Sequence, residues 1–472
     1  MKNLIKLFFL LLIASGIIVG CGEEPIDPEE QMAPELTRNV NKFMKEVMED
    51  VYLWYDKLPD IDYRYEFNSM DYFDKLLYKE KDKWSYATDD AEALENSFEG
   101  KETSYGWSLA FGKFQNTGDV FAIVEFVYPG TPAAEAGIER GNLIVEMNNA
   151  AITENNYRDL LFSSSMSVTL GILGDGGIST GSTVNLTAGE LELNPVVKTS
   201  IVEHDGHKIG YIFYAQYIDN YNFAIDSALQ TMIDAQVTDY VFDLRYNPGG
   251  TVSAAQHLCS SVAPLDVVND NSRLVKFVWN DKYHSYWESK QIMSQIEVNF
   301  DKTVPLKLGL DNIHILTGSG TASASELTIT GLNPYMSVTT VGETTYGKYT
   351  ASITLKPEDI YESESHYQDF DNWAVQPIVI RYANSVGVTD FEDGFLPDIE
   401  VEDDLFATFP LGDKNDPLFK AAIEDITGTP ILAIKSAQKV DIPYTIFDRG
   451  FSRFDKNKRE LLIDNIDVNL FK

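Results

Sequence analysis

Ile313-His-Ile-Leu-Thr-Gly-Ser-Gly-Thr-Ala-Ser-Ala-Ser-Glu-Leu-Thr-Ile-Thr-Gly-Leu332 is the stretch on which the reading of this chain turns. Residues 313–317 read as a buried strand. A run of small residues follows, and an apolar helical pattern begins at Ser323 and reaches Leu332. A strand that passes through small residues into a helix delivers side chains to a cleft at the strand end. The alternation continues on both sides. Residues 208–214 read as a strand, 223–235 as an amphipathic helix, 240–245 as a buried strand and 252–262 as a helix. Residues 338–341 and 378–382 add strands, and 416–426 form a closing helix. The expectation for residues 196–426 is a layered α/β domain.

The preceding residues read differently. In residues 35–100, Val40, Phe43, Met44, Val47, Met48 and Val51 form one apolar helical stripe, with Pro59 as its expected end, and Tyr72, Phe73, Leu76 and Leu77 start a second. Residues 104–195 hold a strand run at 120–127, followed by Tyr128-Pro-Gly-Thr-Pro-Ala-Ala-Glu-Ala-Gly137. Pro132 can start a short helix, Gly137 ends it and Gly141 turns into the next strand. This signature resembles PDZ domains, which capture an extended peptide by strand addition and hold its terminal carboxylate on backbone N–H groups. The resemblance places Gly106, Trp107, Ser108 and Leu109 at that carboxylate loop. The alternative is a purely structural domain of the same shape. The whole is α/β plus α+β and multidomain, and its 427–472 tail has no assignment.

The chain has 472 residues and a formal net charge of −36. Such a surface repels phosphate backbones and argues against a nucleic-acid partner. Lys2 and Lys6 precede an apolar run at 7–19, too short for a comfortable membrane span and long enough for a signal sequence. Ile18-Val19-Gly20-Cys21 resembles a bacterial lipobox. It implies removal of residues 1–20, acylation of Cys21 and anchoring in the cell envelope, at the outer membrane, on its periplasmic or outer face. Residues 21–34, acidic and holding Pro25, Pro28 and Pro34, read as a tether. The remaining cysteine, Cys259, lies among Val252, Ala255 and Val262 at helical spacing and reads as an inert core thiol. His204 and His207 flank a hairpin turn at Asp205-Gly206, so no metal site is expected and no cofactor is implied.

The chemistry is concentrated in three segments. Ser323 opens Ser-Ala-Ser-Glu, and Lys348 ends Gly342-Glu-Thr-Thr-Tyr-Gly-Lys348, 25 positions on. Serine needs a base, and lysine serves only when neutral; free in water, on the order of one in a few thousand is neutral at pH 7. Burial lowers the lysine pKa and supplies the base. Asp243-Leu-Arg-Tyr-Asn-Pro-Gly-Gly250 is a strand ending in a tight turn, where Gly249 or Gly250 can present a bare N–H to an oxyanion. The N–H of Ala324, at the start of the helix Ser323 opens, is the second donor.

Together these motifs resemble the carboxyl-terminal processing peptidases, Ser-Lys proteases of peptidase family S41. The resemblance implies a ClpP/crotonase-like layered core, a helical N-terminal domain and an inserted PDZ-like domain. It implies Ser323 as nucleophile, Lys348 as base, and protein or peptide substrates with accessible C-terminal tails. Gly394 and Pro397-Asp398 match the end of the family's core. One departure stands out: the glutamine four residues after the lysine is here Ser352, with Thr350 as another candidate third member. Ser325 is the rival nucleophile. The functional rivals are a catalytically inactive peptide-binding lipoprotein and an esterase using the same pair.

Overall fold

The computed structural model describes residues 32–174, 177–406, 409–432, 443–449, 461–464 and 466. The expected signal, Cys21 and most of the tether lie outside the described residues. No helix among the described residues is long and apolar enough to cross a membrane.

Helix α1 (Glu35–Val51) buries the stripe read from the sequence. It stops at Val51, eight residues before Pro59. The reason is Tyr52, whose buried hydroxyl donates to Asp82 Oδ2 (2.7 Å) and accepts from Tyr78 N–H (3.1 Å). These bonds accompany an extended backbone at Tyr52 (ψ 134°). Asn68 caps α2 (Ser69–Leu76) by accepting from the N–H groups of Met70 and Asp71. Asp82 also accepts from Trp84 and Ser85 N–H, which fixes the segment carrying Trp84. Helix α3 (Ala91–Phe98) follows, capped by Asp90.

The middle domain is built on antiparallel strands: β1 (Trp107–Phe114), β2 (Val120–Val127), β3 (Leu143–Met147), β4 (Ser165–Gly174) and β5 (Gly177–Thr187), paired in that order. Helix α4 (Pro132–Glu135) starts at Pro132 and ends before Gly137 (φ +78°), as the sequence predicts. Helix α5 (Tyr157–Leu161) packs on the same domain core.

The third domain carries two six-stranded sheets. The first comprises β6 (Val196–His204), β7 (His207–Tyr214), β8 (Asp239–Asp243), β12 (Asn312–Thr317), β13 (Ser337–Gly342) and β16 (Ile399–Glu400), in that spatial order. From β7 to β16 all pairings are parallel. The second runs β9 (Gly250–Thr251), β18 (Leu461–Leu462), β14 (Thr350–Ser352), β15 (Ile378–Asn384), β10 (Arg273–Trp279) and β11 (Glu297–Asn299).

Alternation along β7 explains the layering. Ile212 and Tyr214 face the core shared with α6 (Asn222–Asp234), α7 (Val252–Val262) and α8 (Ala324–Leu332). Tyr211 and Phe213 face the opposite core, filled by α9 (Pro417–Thr427) and by Phe121 and Phe126 of the middle domain. The parallel sheet is therefore covered on both faces.

The tail, unassigned from sequence, supplies two strands. One is β17 (Tyr444–Arg449), antiparallel to β1 in the middle domain; the other is β18, set between β9 and β14.

Candidate active site

Three parallel strands end at one place. The chain leaves β8 at Asp243 for the Gly-Gly turn, β12 at Thr317 for Ser323, and β13 at Gly342 for Lys348. Ligand chemistry in open α/β sheets sits at such strand ends.

Ser323 is fully buried and adopts φ +65°, ψ −110°, outside the broad allowed regions for a side chain with a Cβ. Such a conformation persists only where neighbours enforce it. Its N–H donates to Glu326 Oε2 (2.8 Å) and its C=O accepts from Leu327 N–H (2.8 Å). Its Oγ makes no hydrogen bond. A fully buried hydroxyl without a partner is costly unless the site exists to receive one.

Glu326 is the organising group. Its Oε1 accepts from Thr345 Oγ1 (2.6 Å) and Gly347 N–H (2.6 Å); its Oε2 accepts from Ser323 N–H (2.8 Å) and Lys348 N–H (2.9 Å). The backbones of Ser323 and Lys348 thus hang on one oxygen atom. Tyr382 closes the other side: its hydroxyl lies 3.2 Å from the carbonyls of both Ser323 and Lys348. Burial pushes the Glu326 carboxyl up to about 7, against the pull of its four donors. The Ser-x-x-Glu spacing of a capping box was available in the sequence as a signal for this residue.

Lys348 is 2% exposed. Its Nζ lies 5.6 Å from the centroid of the Trp84 ring, which the sequence did not single out as its neighbour. The adjoining Tyr349 turns its hydroxyl to Glu392 (3.0 Å). Gly347 (φ +96°) lets the chain pass the carbonyl of Glu392, where a Cβ would sit at 2.3 Å.

The two oxyanion glycines are not equivalent. Gly249 N–H donates to Asn247 Oδ1 (2.9 Å) and is spoken for. Tyr217 bonds Gly249 C=O and Thr251 N–H (2.8 and 3.0 Å), so the N–H of Gly250 faces the opposite side, towards β18. Gly250 (φ +139°) must be glycine, because a Cβ would meet the carbonyl of Tyr217 at 1.9 Å. Ala324 is buried in the first turn of α8, where helix N–H groups lack intrahelical partners.

Ser325 Oγ donates to Asn247 C=O (3.2 Å), which engages the rival nucleophile. The candidate third members diverge. Ser352 Oγ makes a long hydrogen bond to the carbonyl of Leu461 (3.4 Å), and Thr350 Oγ1 is buried with none.

In the middle domain, the expected carboxylate loop is otherwise engaged. Gly106 N–H donates to Ser104 Oγ (3.2 Å) and its C=O accepts from Tyr128 N–H (2.9 Å). Trp107 and Ser108 pair with Val127 and Phe126 of β2, and Ser108 Oγ donates to Glu125 (2.8 Å). Leu109 is in the domain core. Gly106 is glycine because its φ is +78° and a Cβ would overlap Thr131. These N–H and side-chain bonds are made within the domain itself.

The middle domain docks on the core beside the Gly-Gly turn. Arg140 donates to Tyr246 Oη (2.6 Å) and Asp403 (3.1 Å), and Arg245, fully buried, pairs with Asp243, Asp403 and Asp416. Burial alone would raise the Asp403 pKa, but Arg140 and Arg245 hold it at about 2. Beyond the Asp-Leu-Arg motif, no pattern in the sequence signals this cluster.

Cys259 is buried, and burial pushes its thiol up to about 12, so it is an inert core residue. His204 and His207 face each other across the Asp205-Gly206 hairpin. No cluster of His, Cys, Asp or Glu able to hold a metal exists among the described residues.

Comparison with known proteins places this geometry. The family model for peptidase family S41 matches residues 208–401, and that for the peptidase S41 N-terminal domain matches residues 39–86. A crystal structure from Bacteroides fragilis assigned to the S41 proteases is 26% identical, with a TM-score of 0.66, covering 82% of this chain and 97% of that one. The carboxy-terminal processing protease CtpA of Bacillus subtilis is 24% identical over 93% of this chain and 85% of its own. A carboxyl-terminal-processing protease of Synechocystis is 25% identical over 65% of this chain; the match spans 65% of that relative's length, a little under two thirds. Residues 39–86 and 208–401 are thus identified as the N-terminal and main domains of peptidase family S41.

Proposed function

We propose that this chain is a serine-type endopeptidase of the carboxyl-terminal processing kind. Ser323 Oγ attacks the scissile carbonyl, and Lys348 takes its proton and later returns it to the leaving amine. Gly250 N–H and Ala324 N–H receive the developing negative charge. The observation that carries this reading is the single Glu326 carboxylate, which holds the backbones of Ser323 and Lys348 on one atom while the serine hydroxyl is left buried without a partner. The substrate class, proteins or peptides with accessible tails, is supported by the similarity to carboxyl-terminal processing proteases. Purified protein should cleave an unfolded protein substrate, and Ser323→Ala should not; equal cleavage by both would remove the serine mechanism.

The second reading is a peptide-binding protein on the same scaffold without turnover. It is favoured by Ser352, which points its hydroxyl at the tail where the family's glutamine orients the lysine. Absence of cleavage by wild type, with peptide binding retained, would establish it. For the envelope anchor we propose acylation at Cys21. Labelled fatty acid should be incorporated by wild type and absent from Cys21→Ala; label that persists would refute it.

A further inference from the structure

The tail visits both places where an extended peptide can add a strand. Strand β17 lies along β1 in antiparallel register, from Tyr444 opposite Phe114 to Arg449 opposite Ala110, so its C-terminal end points towards Gly106. Its other flank meets α5. The Phe447 ring packs edge-on against Tyr157 (5.5 Å), and Asp448 Oδ2 accepts from Tyr157 Oη (2.6 Å) and Arg158 Nη2 (2.5 Å). The match is specific at side-chain level: Gly112 leaves room for Ile446, whose Cδ1 would lie 2.9 Å from any Cβ there.

Strand β18 lies beside the proposed oxyanion donor. Leu461 pairs with Gly250 and Leu462 with Thr251 on one side; on the other, Leu462 pairs with Ser352 and Ile463 N–H donates to Ser352 C=O (2.9 Å). The segment therefore joins the strand of the proposed oxyanion donor to the strand that follows Lys348. Leu461 and Ile463 turn into the main core, while Leu462 packs with Leu94 and Phe98 of α3. Asp464 accepts from Ser253 N–H (3.1 Å) at the start of α7, where a carboxylate is favoured.

We infer that residues 443–449 and 461–464 are an intramolecular ligand, bound as a substrate would be, which fills the β1 edge and the β9–β14 gap and competes with incoming chains at both. The occupant is this chain's own tail. The β1 half of the inference stands without the peptidase reading; only the cleft half rests on it. A segment tethered within the molecule presents an effective concentration on the order of millimolar. Even a tail of about 0.1 mM intrinsic affinity would then reduce the apparent affinity of a competitor roughly tenfold.

The test uses the full-length chain with Thr445→Pro and Leu462→Pro combined, since Thr445 faces Lys113 at a hydrogen-bonded position of the β1 ladder and proline removes the ladder N–H in each tail strand. A fluorescent synthetic peptide of residues 443–466 should bind this variant about tenfold more tightly than wild type, and the variant should cleave unfolded protein with a correspondingly higher kcat/KM. Asp448→Lys, which reverses the charge facing Arg158, is the second variant, with a severalfold gain expected at the β1 site. Tighter peptide binding with no cleavage by any form would uphold the tail inference and sink the peptidase reading. Equal peptide affinity in wild type and in cooperatively unfolding variants would overturn the inference, as would an Asp448→Lys chain that binds no better than wild type.

Discussion

The two ends of the cleft are built differently. At the Ser323 end, four donors converge on the Glu326 carboxylate and Tyr382 spans two carbonyls. Past Lys348, at Thr350 and Ser352, one hydroxyl has no partner and the other makes a single long bond to the tail. The first end is fixed by its own residues, as a reaction centre requires. The second has its hydrogen bonds completed by a strand from elsewhere in the chain. An exchangeable strand belongs where polar groups are left for it to satisfy.

The largest test of this contrast is at the fixed end. Lys348→Ala should lower kcat by at least about a thousandfold with the fold intact, as loss of a member of a coupled catalytic group does. A loss below tenfold, measured on unfolded substrate, would show that the lysine is not the base.

Glu326→Gln comes next. An amide cannot accept from four donors, and its NH2 would face two N–H groups or a hydroxyl and an N–H. Chemical denaturation should show a cost of about 2–4 kcal/mol. The pH dependence has a definite sign. The native carboxyl titrates at about 7, above its ordinary 4.5, so between these values the native state holds the extra proton. Stability from this source is complete below the lower value and is lost as pH rises through the upper one. Wild-type stability should therefore fall relative to the variant from pH 5 to pH 8, and a constant difference would contradict the shift.

Gly250→Ala should cost on the order of 1–3 kcal/mol, since alanine resists φ +139° and its Cβ would meet a carbonyl. Activity should fall with it, whereas a neutral variant would remove Gly250 from the oxyanion site. The smallest effect belongs to the open end. Ser352→Ala should change stability by less than about 1 kcal/mol and peptidase activity by less than threefold, because its bond is long. A hundredfold loss of activity would make Ser352 a true third member.

Much of this was legible in the sequence. The alternating strand and helix patterns from 208 to 427 appear with ends shifted by one or two residues, because burial on both faces of β7, β8 and β12 leaves continuous apolar runs. Ser323, Lys348 and the Gly-Gly turn converge because each follows a parallel strand of one sheet. The choice between Gly249 and Gly250 depended on Asn247, whose side chain reaches two residues on, a habit of asparagine in turns. The end of α1 was misplaced because a tyrosine hydroxyl bonded to Asp82 carries no local signal. The tail was opaque for a different reason. Leu461–Leu462 is too short to show a period, and its partners lie more than a hundred residues away.

The most direct test of the Ser323–Lys348 site is covalent labelling with a serine-reactive fluorophosphonate, mapped by mass spectrometry. The label should fall on Ser323 in wild type and be lost in Lys348→Ala. Label on Ser325, or label on Ser323 that is indifferent to the lysine, would contradict the account.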